Sequence, residues 1–426
     1  MHRFALWRLL AGPGRFGMFF LGSTLTNIGT WAQNFAAVLL VYRLTGSTTQ
    51  VGLVSVAQFA APILLVRWTG AVADRVDRRL TIIVCQLLGA AATLVLVVAS
   101  ATGTVTPALV LAVTLVLGVF LAFQTPAQLA LVPLLVTPAQ LDSAFSLNGA
   151  QFNLARAVAP VLAGLLVGSF GFTVVFALNT VTFLLYLLAI LLVRPAPQER
   201  PASRPRLLAT LETVRRTRYV TTLLAVAFVV SGATDAAVTL GPALGVTLAG
   251  DDGAAGSIMT AFAGGAALAA IGLASWVERF RRRLPAAILV QALGLAGVAL
   301  APSLPVALVA VAVMGSAFIL GVNRALSLIQ QRVPAVALGR VMALFAVCVA
   351  TSKPVFALAD GFLSDRLGPR WAVAALAATA VVTGTLLWRQ GTAADQASAS
   401  AAGAPVTAPA PADRAAAVGQ GIAPAD

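Results

Sequence analysis

Long apolar runs separated by short polar breaks repeat along almost the whole chain. A helix that crosses the hydrocarbon core needs roughly 20 mostly apolar residues. Backbone in lipid must satisfy its own hydrogen bonds, which leaves helices or a closed barrel. Barrel strands alternate with period two over about ten residues, and these runs do not alternate. The pattern predicts twelve spanning helices, over 16–42, 48–73, 80–101, 105–132, 142–168, 171–193, 219–249, 254–277, 284–302, 304–333, 337–364 and 370–389. Residues 102–104 and Ser303 are such short connections that the helices they join must be antiparallel. The stretch 194–218, with Pro195, Pro197, Pro201 and Pro205 ahead of an arginine-rich piece, is the one internal break in hydrophobicity.

The expected architecture is an all-α membrane protein with twelve transmembrane helices in two pseudo-symmetric six-helix bundles. The bundles cover 1–193 and 219–389, joined by a cytoplasmic Pro/Arg-rich link over 194–218. The tail 390–426 is mostly Ala, Pro, Gly and Ser; it can bury little and is expected to be disordered. The apolar run after Arg15 is too long for a cleavable signal core of about 7–15 residues, so it reads as the first span.

Composition points the same way. The chain is 59% hydrophobic and 10% charged, against about 25% charged in soluble domains, so lipid must cover much of the exterior. The net charge of +14 does not indicate nucleic acid, because the arginines lie between apolar runs and not along one face. Arg75, Arg78 and Arg79 follow the second span, Arg279, Arg281, Arg282 and Arg283 the eighth, and Arg332 and Arg340 flank the turn after the tenth. Seven more arginines lie in the link. By the positive-inside rule these turns and both termini are cytoplasmic. The opposite side carries Arg43, Asp251, Asp252, Asp365, Arg366 and Arg370. Cys85 and Cys348 sit inside apolar runs, so no disulfide framework follows. With His2 the only histidine, and no nucleophile–base pair, metal cluster or phosphate loop, no enzyme, metal or cofactor is expected. Arginine in place of lysine, with abundant alanine, suggests a bacterium with a GC-rich genome and its cytoplasmic membrane.

The two halves repeat. Shifting the stretch from Leu141 by 197 positions pairs Leu141 with Leu338, Leu147 with Leu344, Gly164 with Gly361 and Gly171 with Gly368. It also pairs Arg156 with Lys353, two cations in mid-membrane. Related halves meeting at a midplane cavity are a known transporter plan.

The turn after the second span reads GAVADRVDRR, with Gly70, Asp74, Arg75, Asp77, Arg78 and Arg79. It resembles the loop signature of the major facilitator superfamily, with Asp77 where that family has glycine. ASWVERFRRR, with Glu278, Arg279, Arg282 and Arg283, is a degraded second copy with Ala274 for the glycine. GFLSDRLGPR, with Gly361, Asp365 and Arg366, is a third on the opposite side. The segment 131–171 further resembles the branch of enterobactin exporters and macrolide-efflux proteins. Pro160 and Gly164 partly match the family's antiporter motif, with Ala159 for glycine. The branch resemblance implies outward transport driven by the proton gradient, and the superfamily resemblance, over 16–389, implies a monomer as the usual state, with the first two loop copies forming a cytoplasmic gate. Spacing alone does not give direction.

Ionisable groups inside the membrane are costly and are functional candidates by default. These are Arg67, Arg156, Asp235, Arg324, Lys353 and Asp360. Asp235 and Lys353 lie at similar depth and are the proton-coupling candidates, the alternative being a static ion pair. Arg156 has no acid at its depth in its own half; it either faces an anionic substrate or reaches Asp235. Arg324 faces the cavity or snorkels, Arg67 snorkels, and Asp360 reads as structural. With Asn34, Gln124, Gln151 and Asn323, Arg156 and Arg324 make up the expected substrate cavity. Two readings follow: a proton-coupled exporter of drug-like or siderophore-like molecules, or a proton-independent facilitator or importer of an anionic solute. The partners are then a small-molecule substrate, protons and the lipid bilayer.

Overall fold

The computed structural model describes residues 16–66, 68–69, 72, 76–193, 195, 218–270, 283–333 and 335–402. Among these residues the structure is helical, with no strand. The first part of the chain forms α1 (Phe16–Thr45), α2 (Thr48–Leu64), α3 (Arg78–Ala101), α4 (Pro107–Leu131), α5 (Leu141–Phe170) and α6 (Phe172–Leu192). After the link come α7 (Arg218–Ala233), α8 (Ala236–Thr239), α9 (Gly241–Ala249), α10 (Ala254–Leu268), α11 (Arg283–Leu300), α12 (Leu304–Arg332), α13 (Ala335–Leu367) and α14 (Pro369–Ala402). Eight of the described helical segments are long and apolar enough to cross a membrane, and α2, α10 and α11 are shorter apolar helices.

Local chemistry sets the boundaries. Ser47, Asp77 and Thr106 cap α2, α3 and α4, each accepting a backbone N–H from the first turn, as N-caps do. Proline occupies the first turn of α4, α12 and α14, where its missing N–H costs nothing. Gly171 (φ 81°) joins α5 to α6 and Gly368 (φ 92°) joins α13 to α14. These are the glycines that the internal repeat pairs, and both turns need the left-handed backbone that glycine adopts freely.

On α6, Val175, Phe176, Asn179, Phe183, Tyr186 and Ile190 are buried, while Leu178, Val181, Leu184, Leu185, Leu188 and Leu191 are exposed. A helix apolar on its exposed face too belongs in lipid. α1 packs on α5 and α6, α3 on α4 and α6, and α2 on α4; later in the chain α11 packs on α12 and α14, and α10 on α12. The two largest contacts between the earlier and the later helices are α2 with α13 and α5 with α10; α8 and α9 add smaller ones on α1 and α2.

The structure departs from the sequence reading in two places. The expected seventh span, 219–249, is broken into α7, α8 and α9, with Asp235 at the first break. Gly232, Gly241 and Pro242 surround the breaks, and glycine and proline are the residues that interrupt a helix ladder. The last helix continues to Ala402, beyond Arg389 where disorder is expected to begin. The stretch 390–402 is alanine-rich, and alanine has the highest helix propensity. Residues 403–426 lie outside the described residues, as does most of the link.

Candidate functional site

The break after α7 puts a carboxylate in the protein interior. Asp235 is 5% exposed. Its Oδ2 accepts hydrogen bonds from Thr239 Oγ1 at 3.1 Å and, more weakly, from Ser55 Oγ of α2 at 3.4 Å. The backbone N–H of Asp235 donates to Gly232 at 2.9 Å, a tightened turn in place of the α-helical bond. The four-residue α8 that follows touches α1, α2, α10 and α13, so Asp235 stands where the two parts of the chain meet.

Lys353 and Arg156, the cations paired by the repeat, converge on one aromatic ring. Lys353 Nζ is 5.8 Å from the centroid of Trp31 and 5.3 Å from that of Phe59. Arg156 Cζ is 5.2 Å from the centroid of Trp31. These are cation–π distances. Trp31 is in turn packed edge-on by Phe152, at 6.0 Å and 76°. Asp235, Lys353 and Arg156 lie in one another's electrostatic field. Asp235 and Lys353 nevertheless make no contact ion pair or hydrogen bond with each other. Both cations are half-buried.

The end of the molecule carrying Asp365 is closed between the two parts of the chain. Asp365 accepts from Ser47 Oγ (2.6 Å), Thr48 N (2.7 Å), Thr48 Oγ1 (2.6 Å) and Thr49 N (3.0 Å), so the last turn of α13 caps the start of α2. Arg43 donates Nε and Nη2 to Asp252 at 2.6 and 2.9 Å. Glycines let the backbones meet beneath these bonds: a Cβ on Gly52 would lie 2.5 Å from the Ala357 carbonyl oxygen, and one on Gly361 would strike that of Thr48. Gly164 meets Gly256 where α5 crosses α10. Gly164 and Gly361, paired by the repeat, thus both serve contacts between the two parts. Among the described residues, every hydrogen bond or ion pair between residues 16–193 and 218–402 lies at this end or at Asp235.

The remaining sequence candidates take other positions. Gly70, Asp74, Arg75, Glu278, Arg279 and Arg282 lie outside the described residues, as does Arg67; of Arg283 only the backbone is described, at the start of α11. Arg78 and Arg79 tie helix ends together. Arg78 Nη1 donates to the Ala130 carbonyl at 2.9 Å, and Arg79 donates to those of Ile190 at 2.9 Å and Leu191 at 2.6 Å. They satisfy carbonyls that a helix C-terminus leaves unpaired.

Gln124 and Gln151, expected in the cavity, bridge helices. Gln124 is buried and accepts from Gln86 Nε2 at 2.8 Å. Gln151 is buried against α1 through Ser23 and Thr24, and bonds Asn148 at 2.6 Å. Amide pairs of this kind hold membrane helices together. Asn34 and Arg324 are half-buried and Asn323 is exposed. Sequence reasoning did not single out Trp31, Phe59, Ser55 or Thr239. Trp31 carries the one readable signal, standing within the polar run of α1 between Asn27 and Asn34.

Residues 12–417 match the family model described as "Transmembrane secretion effector". The chain belongs to that family, within the major facilitator superfamily. No curated protein matches it. Solved structures of this superfamily share its fold. One is a bacterial homolog of the human lysosomal transporter Spinster in an inward-facing, unoccupied conformation (TM-score 0.72, 15% identity, 89% of this chain and 98% of that one). Another is the nucleoside transporter NupG (0.67, 13%, 88% and 98%). A third is the E. coli fucose:proton symporter FucP (0.55, 17%, 87% and 98%). This secretion-effector family member is therefore a multi-pass membrane transporter and not an enzyme.

Proposed function

We propose that this transporter is a proton-coupled exporter of drug-like or siderophore-like small molecules, working by alternating access between two six-helix bundles. The observation that carries the reading is Asp235: a buried carboxylate at a break in a membrane helix, bonded to Ser55 of the earlier part of the chain, with Lys353 and Arg156 in its field but not in contact. A carboxylate so placed can exchange a proton while its hydrogen bonds report to both bundles. The family's description as a secretion effector supports the outward direction.

In this reading both termini are cytoplasmic, the Asp365 end faces outward and is shut, and the cavity opens to the cytoplasm. The protein acts as a monomer in a bacterial cytoplasmic membrane. The test is efflux of macrolides, catecholate siderophores and aromatic acids from cells expressing the wild type or Asp235→Asn. Export that stops both with a protonophore and with Asp235→Asn supports the reading. Uptake of an acid that needs Arg156 and ignores the protonophore replaces it with an anion facilitator.

A further inference from the structure

We infer that the transported molecule is an organic anion with an aromatic body, its acid group held between Arg156 and Lys353 and its ring system laid against Trp31 and Phe59. This rests on the transport reading above and adds the substrate class.

Arg156 comes from α5 and Lys353 from α13, yet both reach the same Trp31 ring. The two ring distances, 5.2 and 5.8 Å, bound the separation of the charges at about 11 Å. Two cations this close inside a membrane repel each other and have lost water. The usual remedy is a carboxylate in contact with each. Neither has one. Among the described residues, Arg156 and Lys353 make no ion pair or hydrogen bond, and neither side chain is fully buried.

Asp235 is the acid in their field, and its Oδ2 is already engaged by Thr239 and Ser55. The two cations outnumber it. With both cations protonated, the site keeps a net positive charge whether or not Asp235 carries a proton, and draws an anion in either state. An acid group set between Arg156 and Lys353 would supply the charge-assisted hydrogen bonds both lack. The Trp31 and Phe59 faces offer apolar, polarisable surface beside it, fitting an aromatic body rather than a bare inorganic ion. Because one cation comes from each part of the chain, the same ligand would bridge the two, as a substrate that moves with the alternation must.

The experiment is equilibrium binding to the full-length transporter in lipid nanodiscs, without any gradient. Aromatic carboxylates (2-naphthoate, salicylate, fluorescein) are each compared with the neutral methyl ester. At least one acid should bind about tenfold more tightly than its ester, the worth of one or two charge-assisted hydrogen bonds. Lys353→Gln and Arg156→Gln should each remove most of that preference while leaving ester binding in place. The charge-keeping Lys353→Arg should retain it, and ester binding reports that each variant is folded. If no acid outbinds its ester in the wild type, or if the folded glutamine variants keep the preference, the inference is overturned. Failure of proton-driven export in cells would leave this binding result intact, so the two readings fail separately.

Discussion

Asp365, in the last turn of α13, accepts the backbone N–H of Thr48 at 2.7 Å, in the first turn of α2. Ser47, Thr48 and Thr49 add three further donors to the same carboxylate. The first N–H groups of a helix have no partner within it and carry its positive dipole end. The capping carboxylate therefore belongs to one part of the chain and the capped helix to the other. Separating those parts at this end breaks every one of these bonds together. Asp365 belongs to the third copy of the loop signature, GFLSDRLGPR, and acts as a latch on the end opposite Arg78 and Arg79.

Asp365→Ala should weaken the closed end by about 2 kcal/mol, roughly thirtyfold in a two-state equilibrium. Arg43→Ala removes a more exposed ion pair, worth under about 1 kcal/mol, and should do less. Spin labels at Leu44→Cys and Leu367→Cys, with Cys85 and Cys348 replaced, read the distance across this end. A longer-distance population should grow with Asp365→Ala and change little with Arg43→Ala.

Gly361→Ala should also open this end, by a different route. Its new methyl group would meet the Thr48 backbone oxygen, which cannot swing aside as a side-chain tip can. Overpacking of this kind costs about 1–3 kcal/mol. Gly164→Ala is the control, because its Cβ would lie 3.4 Å from Gly256 Cα, ordinary contact. The same label distances and thermal unfolding in detergent should separate the two substitutions.

Asp360 calls for the opposite expectation from Asp235. It is 3% exposed, and its Oδ2 has no hydrogen-bond partner. An unpaired buried carboxylate is a burden on the fold. Asp360→Asn should therefore leave the melting temperature unchanged or raise it, and should leave export intact. A fall in transport with an unchanged melting temperature would give Asp360 a working part in the cycle.

The sequence made the membrane helices legible because lipid demands long apolar runs. The turns at Gly171 and Gly368 were legible too, because glycine is the residue that a positive φ tolerates best. The break at Asp235 was hidden for the same reason the spans were clear. Residues 219–249 stay apolar throughout, and membrane helices accommodate glycine and proline, so Gly232, Gly241 and Pro242 do not announce an interruption. Gln124 and Gln151 look alike in sequence whether they line a cavity or bridge helices; only their partners Gln86 and Ser23 distinguish the two. Trp31 passes for core packing until two cations from distant positions are seen to share its ring. Asp235 and Lys353 were legible as a pair of charges at one depth, but their lack of direct contact was not, since depth fixes height along the membrane and not lateral distance.

Proton movement through Asp235 is most directly read in inside-out vesicles energised to an acid interior, with a pH-sensitive dye reporting the gradient. Adding a transported compound from the efflux panel to vesicles carrying the wild type should partly dissipate the gradient, as protons leave in exchange. Vesicles carrying Asp235→Asn should hold their gradient when the same compound is added. Dissipation by Asp235→Asn equal to the wild type, or none by the wild type while it transports the compound, would contradict proton coupling at Asp235.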